Sequence, residues 1–351
     1  MRTKANWIAI TETEGKDESM ENNHSLSGTV RIGTGLIAWG GFRDRFASYR
    51  EAIPVVEAIR QAAAIPGIEA VDVSRGYMPE DIRPVKLALQ DANLVVSGVG
   101  TALSKGTRMQ RGTFSSEDPE TRRMAIEIVK ECMDIAAELG CDKVLLWFGQ
   151  DGYDYHFELD YVTRWGRLVE GTRECACHRK DIKICIEYKA REPKIHQIIN
   201  SAATTLLLID EVGEENVGIL YDVGHALIAG EMLAETAALI ARRGRLWHVH
   251  LNDNYFYADS DLIPGAVHTM GILELLFWLK RLEYKGFVCY DTVALTHDPQ
   301  HVIAECVRYT QAMIASADRL DTAALEVIFK SGDAPGGLAL AREALFGYQS
   351  T

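Results

Sequence analysis

Short apolar runs rich in β-branched residues alternate along most of the chain with longer stretches whose apolar positions recur at helical spacing, and polar loops separate them. Runs of the first kind predict strands over 31–39, 68–74, 93–100, 142–149, 182–189, 216–222, 246–252 and 286–293. The helical patterns cover 48–64, 79–91, 119–139, 157–179, 194–210, 226–242, 269–283 and 299–317. The clearest of these runs from Pro119 to Leu139, with Asp118 placed to cap its start, Pro119 at the first helical position and Gly140 at its stop. Its residues Met124, Ile128, Ile135 and Leu139 recur at spacings of four and seven, which gives one buried stripe.

Eight strands alternating with eight helices predict an α/β protein with a parallel sheet inside and helices outside, and the number favours closure into a (β/α)8 TIM barrel over an open doubly wound sheet. The first strand, "RIGTGLIAWGG", lacks the glycine spacing of a dinucleotide-binding turn. A chain of 351 residues is long for one domain, yet barrels of this kind reach that length as a single unit. The expected organisation is a flexible or capping segment over 1–28, polar and acidic from Glu12 to Ser27, then the barrel over 29–318. A helical extension over 319–351 follows, built from two short amphipathic pieces.

Composition narrows the classes of function. With 47% hydrophobic and 25% charged residues the chain reads as an ordinary globular protein. A net charge of −13 without a long basic run opposes a nucleic-acid partner, because a polyanionic backbone would be repelled. Seven cysteines without C-x-x-C spacing read as reduced core thiols, the "CACH" tract at 175–178 included, since it lies in a helical run where positions i and i+2 point apart. No stretch of 18 uncharged apolar residues and no secretory signal is visible, so the expectation is a cytoplasmic protein without membrane contact.

In such barrels chemistry gathers at the carboxyl ends of the strands, where the βα loops converge. Here the fifth strand ends in Glu187 and Lys189, the sixth in Asp222 followed by His225, the seventh in His248 and His250, and the eighth in Asp291. The loop after the seventh strand adds Asp253, Asp259 and Asp261. Taken singly, Asp222 reads as a helix cap, Asp259 and Asp261 as solvated loop acids, and His248 as a satisfied core histidine. Jointly, four consecutive strand ends that each supply an acid or an imidazole point to a metal site. Crowded carboxylates repel one another unless cations neutralise them. Carboxylates with a few imidazoles and no thiolate suit Mg2+, Mn2+ or Co2+ rather than copper or structural zinc.

The segments "CIEYKAREP", "YDVGH", "HVHLND" and "DSDL" resemble the metal-dependent aldose–ketose isomerases of the xylose isomerase and L-rhamnose isomerase type, which are (β/α)8 barrels. The segments "GLIAWGGFRDRF" and "GTFSSEDPETRRMAIEIVKECMDIAAELGCDKVLLWFGQDGYDY" agree, and the likeness runs in order over roughly residues 31 to 317. It implies two divalent cations per chain, Mn2+, Mg2+ or Co2+. Glu187, Asp222, His250 and Asp291 would hold the first, and Asp222 would be shared with a second held by His225, Asp259 and Asp261. It also implies that Lys189, on the same side of its strand as Glu187, donates to the sugar carbonyl, and that Asp261 takes part in catalysis. His225 would contact the substrate, and Trp147, with Trp39, would wall the sugar off from water.

The implied activity is interconversion of an unphosphorylated aldose and ketose by a 1,2-hydride shift, in which paired cations hold adjacent oxygens and stabilise developing alkoxide charge. Two departures stand out. Xylose isomerase carries a histidine after its second strand, associated with opening the cyclic sugar, and "VDVSRGYMPED" has none. Asp291 is followed by "TVALTHDP", without the lysine of that family. Alternatives are a sugar 3-epimerase or a lyase working through an enediolate, with an acid or His248 taking a carbon-bound proton. A barrel endonuclease acting on abasic DNA is opposed by the acidic balance. A homo-oligomer, dimer or tetramer, is expected, with the carboxyl-terminal extension serving the contacts.

Overall fold

The computed structural model describes residues 30–347 apart from Arg45 and residues 104–106. The lead-in expected over 1–28 lies outside the described residues. Eight parallel strands close into a barrel: β1 (Arg31–Gly35), β2 (Ala70–Ser74), β3 (Val95–Gly100), β4 (Lys143–Trp147), β5 (Lys183–Glu187), β6 (Val217–Asp222), β7 (Leu246–Leu251) and β8 (Phe287–Tyr290). Each strand pairs with its sequence neighbours, and β1 joins β8 to complete the ring through pairs such as Ile32 with Val288. Every expected strand is present and shorter than its apolar run. The first stops at Gly35 because Leu36–Trp39 winds into a 3-10 turn.

Side chains alternate along each strand. Val71, Val73, Val144, Leu146, Ile184, Ile186, Ile219 and Tyr221 join the helices in the main core. Ala70, Phe287 and Cys289 form one small interior cluster, and Leu145, Cys185 and Leu220 form another. The next inward row, two residues further along β5, β6, β7 and the end of β8, holds Glu187, Asp222, His250 and Asp291. Period-two geometry thus sets a floor that is apolar at Leu145, Cys185 and Leu220 and polar at His248 and Asp72 under a polar mouth.

The helices around the barrel are α1 (Val55–Ala63), α2 (Arg83–Asp91), α3 (Pro119–Glu138), α4 (Tyr161–His178), α5 (Ala202–Val212), α6 (Val223–Ala229), α7 (Leu233–Arg242), α8 (Thr269–Arg281) and α9 (Pro299–Ala317). Helices α2 and α4 each begin four residues later than expected, and three others depart further. Helix α1 begins only after Pro54, since proline restricts the residue before it, and Ser48–Arg50 pairs antiparallel with Phe42–Arg43 instead. The stretch from 194 yields a two-residue strand, His196–Gln197, paired with Gly152–Tyr153, and α5 starts later at a capping box formed by Ser201 and Thr204. The span 226–242 breaks at Gly230, whose φ of 75° ends α6 before α7 begins.

Beyond the barrel, α10 (Thr322–Ser331) and α11 (Ala334–Phe346) form the extension, with Leu325 packed against Leu273, Phe277 and Ala317. Six cysteines are buried. Cys177 is exposed, contrary to the expectation of a core thiol, because Cys175, two residues before it on α4, takes the inward position. Among the described residues no single helix is long and apolar enough to cross a membrane.

Candidate active site

Each ligand-type side chain comes from the carboxyl end of a strand or the loop after it, except His225, which lies in the first turn of α6. Glu187 is the last residue of β5, Asp222 the last of β6, and His250 lies near the end of β7. One donor atom from each of Glu187, Asp222, His250 and Asp291 lies within 4.8 Å of the other three. The His250 Nδ1 atom is at the focus, 3.7 Å from Glu187 Oε1, 3.6 Å from Asp222 Oδ2 and 3.5 Å from Asp291 Oδ2. It is buried and has no hydrogen-bond partner.

Asp222 performs two tasks. Its carboxylate caps α6 by accepting the backbone N–H of His225 at 2.8 Å, and it faces the cluster at the same time. His225 continues the site on the other side, with Nε2 3.0 Å from Asp259 Oδ2 and Nδ1 3.4 Å from Glu187 Oε1. The Lys189 ammonium donates to the same Asp259 oxygen at 2.7 Å and stands 5.4 Å from the Trp147 ring. Asn252 ties the halves together: its amide donates to both Asp222 oxygens at 3.4 and 3.3 Å and to Asp261 Oδ1 at 3.2 Å. Trp147, Glu187, His250 and Asp291 line a cavity of about 250 Å3 that Asp72 and Tyr77 also border.

A family model described as "Xylose isomerase-like TIM barrel" matches residues 59–313. The chain belongs to the xylose isomerase-like TIM barrel family. It is 26% identical over 279 residues to the xylose isomerase of Thermus thermophilus, covering 75% of this chain and 72% of that enzyme. The xylose isomerase of Brucella canis is 31% identical over 185 residues, which cover 49% of this chain and 42% of that enzyme, so the chain spans less than half of that relative. Among solved structures, an L-ribulose 3-epimerase superposes with a TM-score of 0.67 at 15% identity, over 87% of this chain and 99% of that one. At that identity the likeness carries the fold.

The two curated relatives are named xylose isomerases, and the donor set found here fits a divalent cation. Burial alone would lower the His250 pKa, but the carboxylates of Asp222, Asp291, Asp72 and Glu187 raise it well above the ordinary imidazole value. Burial likewise opposes charge on His225, and Asp222 and Asp259 overcome it, raising His225 to about 9. Burial, with Asp259, Asp291 and Asp222 nearby, pushes Asp261 well above the usual carboxylate range. A buried, partnerless ring nitrogen facing three carboxylate oxygens is the arrangement a cation completes.

Some expected residues are not brought to the cluster. Trp39 lies in the core, 1% exposed, with its indole N–H donated to Gln61 Oε1 at 2.8 Å. His248 is fully buried one inward row below His250, where it meets Asp72 at 2.9 Å, and does not line the cavity. Asp253 closes its own loop by accepting from the backbone of Val267 and His268 and meeting the His268 ring at 2.7 Å.

Two residues escaped the sequence reading, Asn252 and Asp72. The alternation that selects His248 and His250 also selects Asn252, two residues on, and Asp72 is the one acid within β2 itself. Gly224, inside "YDVGH", explains how Asn252 comes so close. A Cβ there would sit 2.5 Å from Asn252 Oδ1, the atom that accepts the Gly224 N–H at 2.6 Å.

Proposed function

We propose that the protein is a divalent-metal-dependent sugar isomerase that interconverts an unphosphorylated aldose and ketose by a 1,2-hydride shift, with Glu187, Asp222, His250 and Asp291 holding one cation and Asp222, His225, Asp259 and Asp261 a second. The observation that carries this reading is the sharing of Asp222 between the tight four-residue cluster and the side that bears His225 and Asp259, with Lys189 at its edge. Bound divalent cations supply Lewis-acid polarisation of adjacent sugar oxygens.

The chain's own residues do the rest. Burial disfavours the charge on Lys189, yet Asp259 beside it raises its pKa, so the ammonium stays a donor for the carbonyl oxygen as negative charge builds there. Asp261, held beside Asp222 by the Asn252 amide, is the carboxylate placed to carry a proton from one sugar oxygen to the other while the hydrogen on C2 moves with its electron pair to C1. Trp147 lines the cavity and limits the water that would compete.

A second reading is a sugar 3-epimerase that works through an enediolate. It is favoured by the asymmetry of the site: four donors converge tightly, whereas Asp259 is occupied by both Lys189 and His225. One cation beside a proton-transferring carboxylate is enough for that chemistry. Metal-loaded protein incubated with pentoses, hexoses and deoxyhexoses, aldose and ketose forms alike, tests both. Aldose–ketose products that keep substrate deuterium support the hydride shift, epimers that gain solvent deuterium at carbon support the second reading, and no conversion across the panel defeats both.

A further inference from the structure

At the base of the cavity, which Asp72 borders, lies a second group of ligand-type side chains, Asp72, His248 and Cys289, with donor atoms within 4.8 Å of one another. Their donor atoms are already engaged. Asp72 Oδ2 lies 2.9 Å from His248 Nε2 and 3.2 Å from His250 Nε2. Asp72 Oδ1 accepts from the Ser97 hydroxyl at 2.7 Å, and that hydroxyl is 3.3 Å from Cys289 Sγ. The facing atoms of the group bond one another, and His248 Nδ1 alone among its ring atoms is buried without a partner.

Its upper edge is the proposed metal centre, because His250 belongs to both. Asp72 Oδ2 is shared by the Nε2 atoms of both rings and Oδ1 accepts the Ser97 hydroxyl, so the carboxyl group presents acceptor oxygens on every side. Each imidazole must therefore direct an Nε2–H at it. Once a cation displaces its second proton, a His250 ring held in this way presents Nδ1 as a lone pair to the side where Glu187, Asp222 and Asp291 stand. His248, 0% exposed and donating to the same oxygen, and Ser97 on the other oxygen keep the carboxylate from turning away.

We infer that Asp72 is the positioning residue of the metal centre: it holds the His250 ring with Nε2–H toward the barrel floor and Nδ1 toward the carboxylates, braced by His248 and Ser97. This rests on the metal-dependent reading given above. Carboxylates that receive the second N–H of a ligating histidine fix its tautomer and its orientation.

The test is Mn2+ binding to the full-length chain, followed by the electron paramagnetic resonance of the free ion. Asp72→Asn keeps the shape but offers one acceptor and one donor to two N–H groups, and its affinity for Mn2+ is expected to fall roughly 10- to 100-fold, with cooperative unfolding retained. A visible spectrum of the Co2+-loaded variant should shift as well. Unchanged affinity and spectrum overturn the inference.

A second measurement needs no variant: in Zn2+-loaded wild type, long-range proton–nitrogen NMR should show His250 protonated at Nε2 and not at Nδ1. A proton at Nδ1 overturns the inference. Wild type that retains no Mn2+ overturns the metal reading together with this one, whereas retention with an indifferent Asp72→Asn overturns the role of Asp72 alone.

Discussion

The Asp222 carboxylate accepts the backbone N–H of His225 at 2.8 Å while its other oxygen stands 3.6 Å from His250 Nδ1. One side chain therefore starts α6 and faces the ligand cluster, and the three-residue spacing to His225 follows from the geometry of a helix cap. Asp222→Asn should separate the tasks. The amide oxygen still caps the helix, so folding should survive, whereas Mn2+ affinity should drop by at least about 100-fold, beyond what outer-shell partners contribute. Titration with Mn2+ alongside a thermal melt checks this, and wild-type affinity in the variant would contradict it.

Cation uptake should release protons. Without a cation, His250 is raised well above its ordinary value and His225 to about 9, so both imidazoles hold protons near neutral pH that a cation must displace, and the raised Asp261 carboxyl acts in the same direction. Apparent affinity should accordingly rise with pH up to about 9. Calorimetry in buffers of different ionisation enthalpy measures the protons released, and a value of zero at pH 7 would contradict the assignment.

The same shift makes an opposite statement about the metal-free fold. The folded pKa of His225 exceeds the ordinary imidazole value of 6.5, so its stabilising contribution is complete below that value and is lost as pH rises through about 9. Metal-free protein should therefore melt at a lower temperature at pH 9.5 than at pH 6.5 by way of this group. His225→Gln should flatten that part of the profile.

Gly224→Ala adds one methyl group where Asn252 Oδ1 would lie 2.5 Å away. Asn252 must then retreat from Asp222 and Asp261, both of which its amide now bonds. Mn2+ affinity should fall by roughly 10-fold or more, with a destabilisation of about 1–3 kcal/mol from overpacking. Denaturant melts and Mn2+ titration read the two effects separately.

Lys189→Met should leave Mn2+ affinity undiminished, because it removes a cation from beside Asp259 and no ligand. Its effect belongs to turnover, with kcat lower by about 100- to 1000-fold, the loss expected for one donor to a developing oxyanion. An intact kcat would remove Lys189 from the mechanism.

The carboxyl-terminal helices α10 and α11 leave Val327, Phe329, Leu338 and Phe346 exposed. Such a surface accords with a homo-oligomer, and light scattering should give a dimer or tetramer. A monomeric mass would reject this.

Much of this architecture can be read from the chain alone. All eight strands and the start and end of α9 follow from local pattern, because apolar alternation, proline and cap residues act within a few positions of themselves. The same alternation sets Glu187, Asp222, His250 and Asp291 on inward-facing positions at strand ends. Helices are misplaced where a local signal is overridden: Ser48–Arg50 and His196–Gln197 found strand partners, and Gly230 cut one helix into two.

What the sequence by itself determined is therefore which residues point inward and at which height along each strand, since those are consequences of backbone periodicity. The tertiary structure alone decided who meets whom. Barrel closure brings Asp72 within 3.2 Å of His250 across 178 positions of chain, sets Asn252 among three acids, and leaves Trp39 in the core. No local preference encodes such meetings, because they depend on the register and curvature of all eight strands at once.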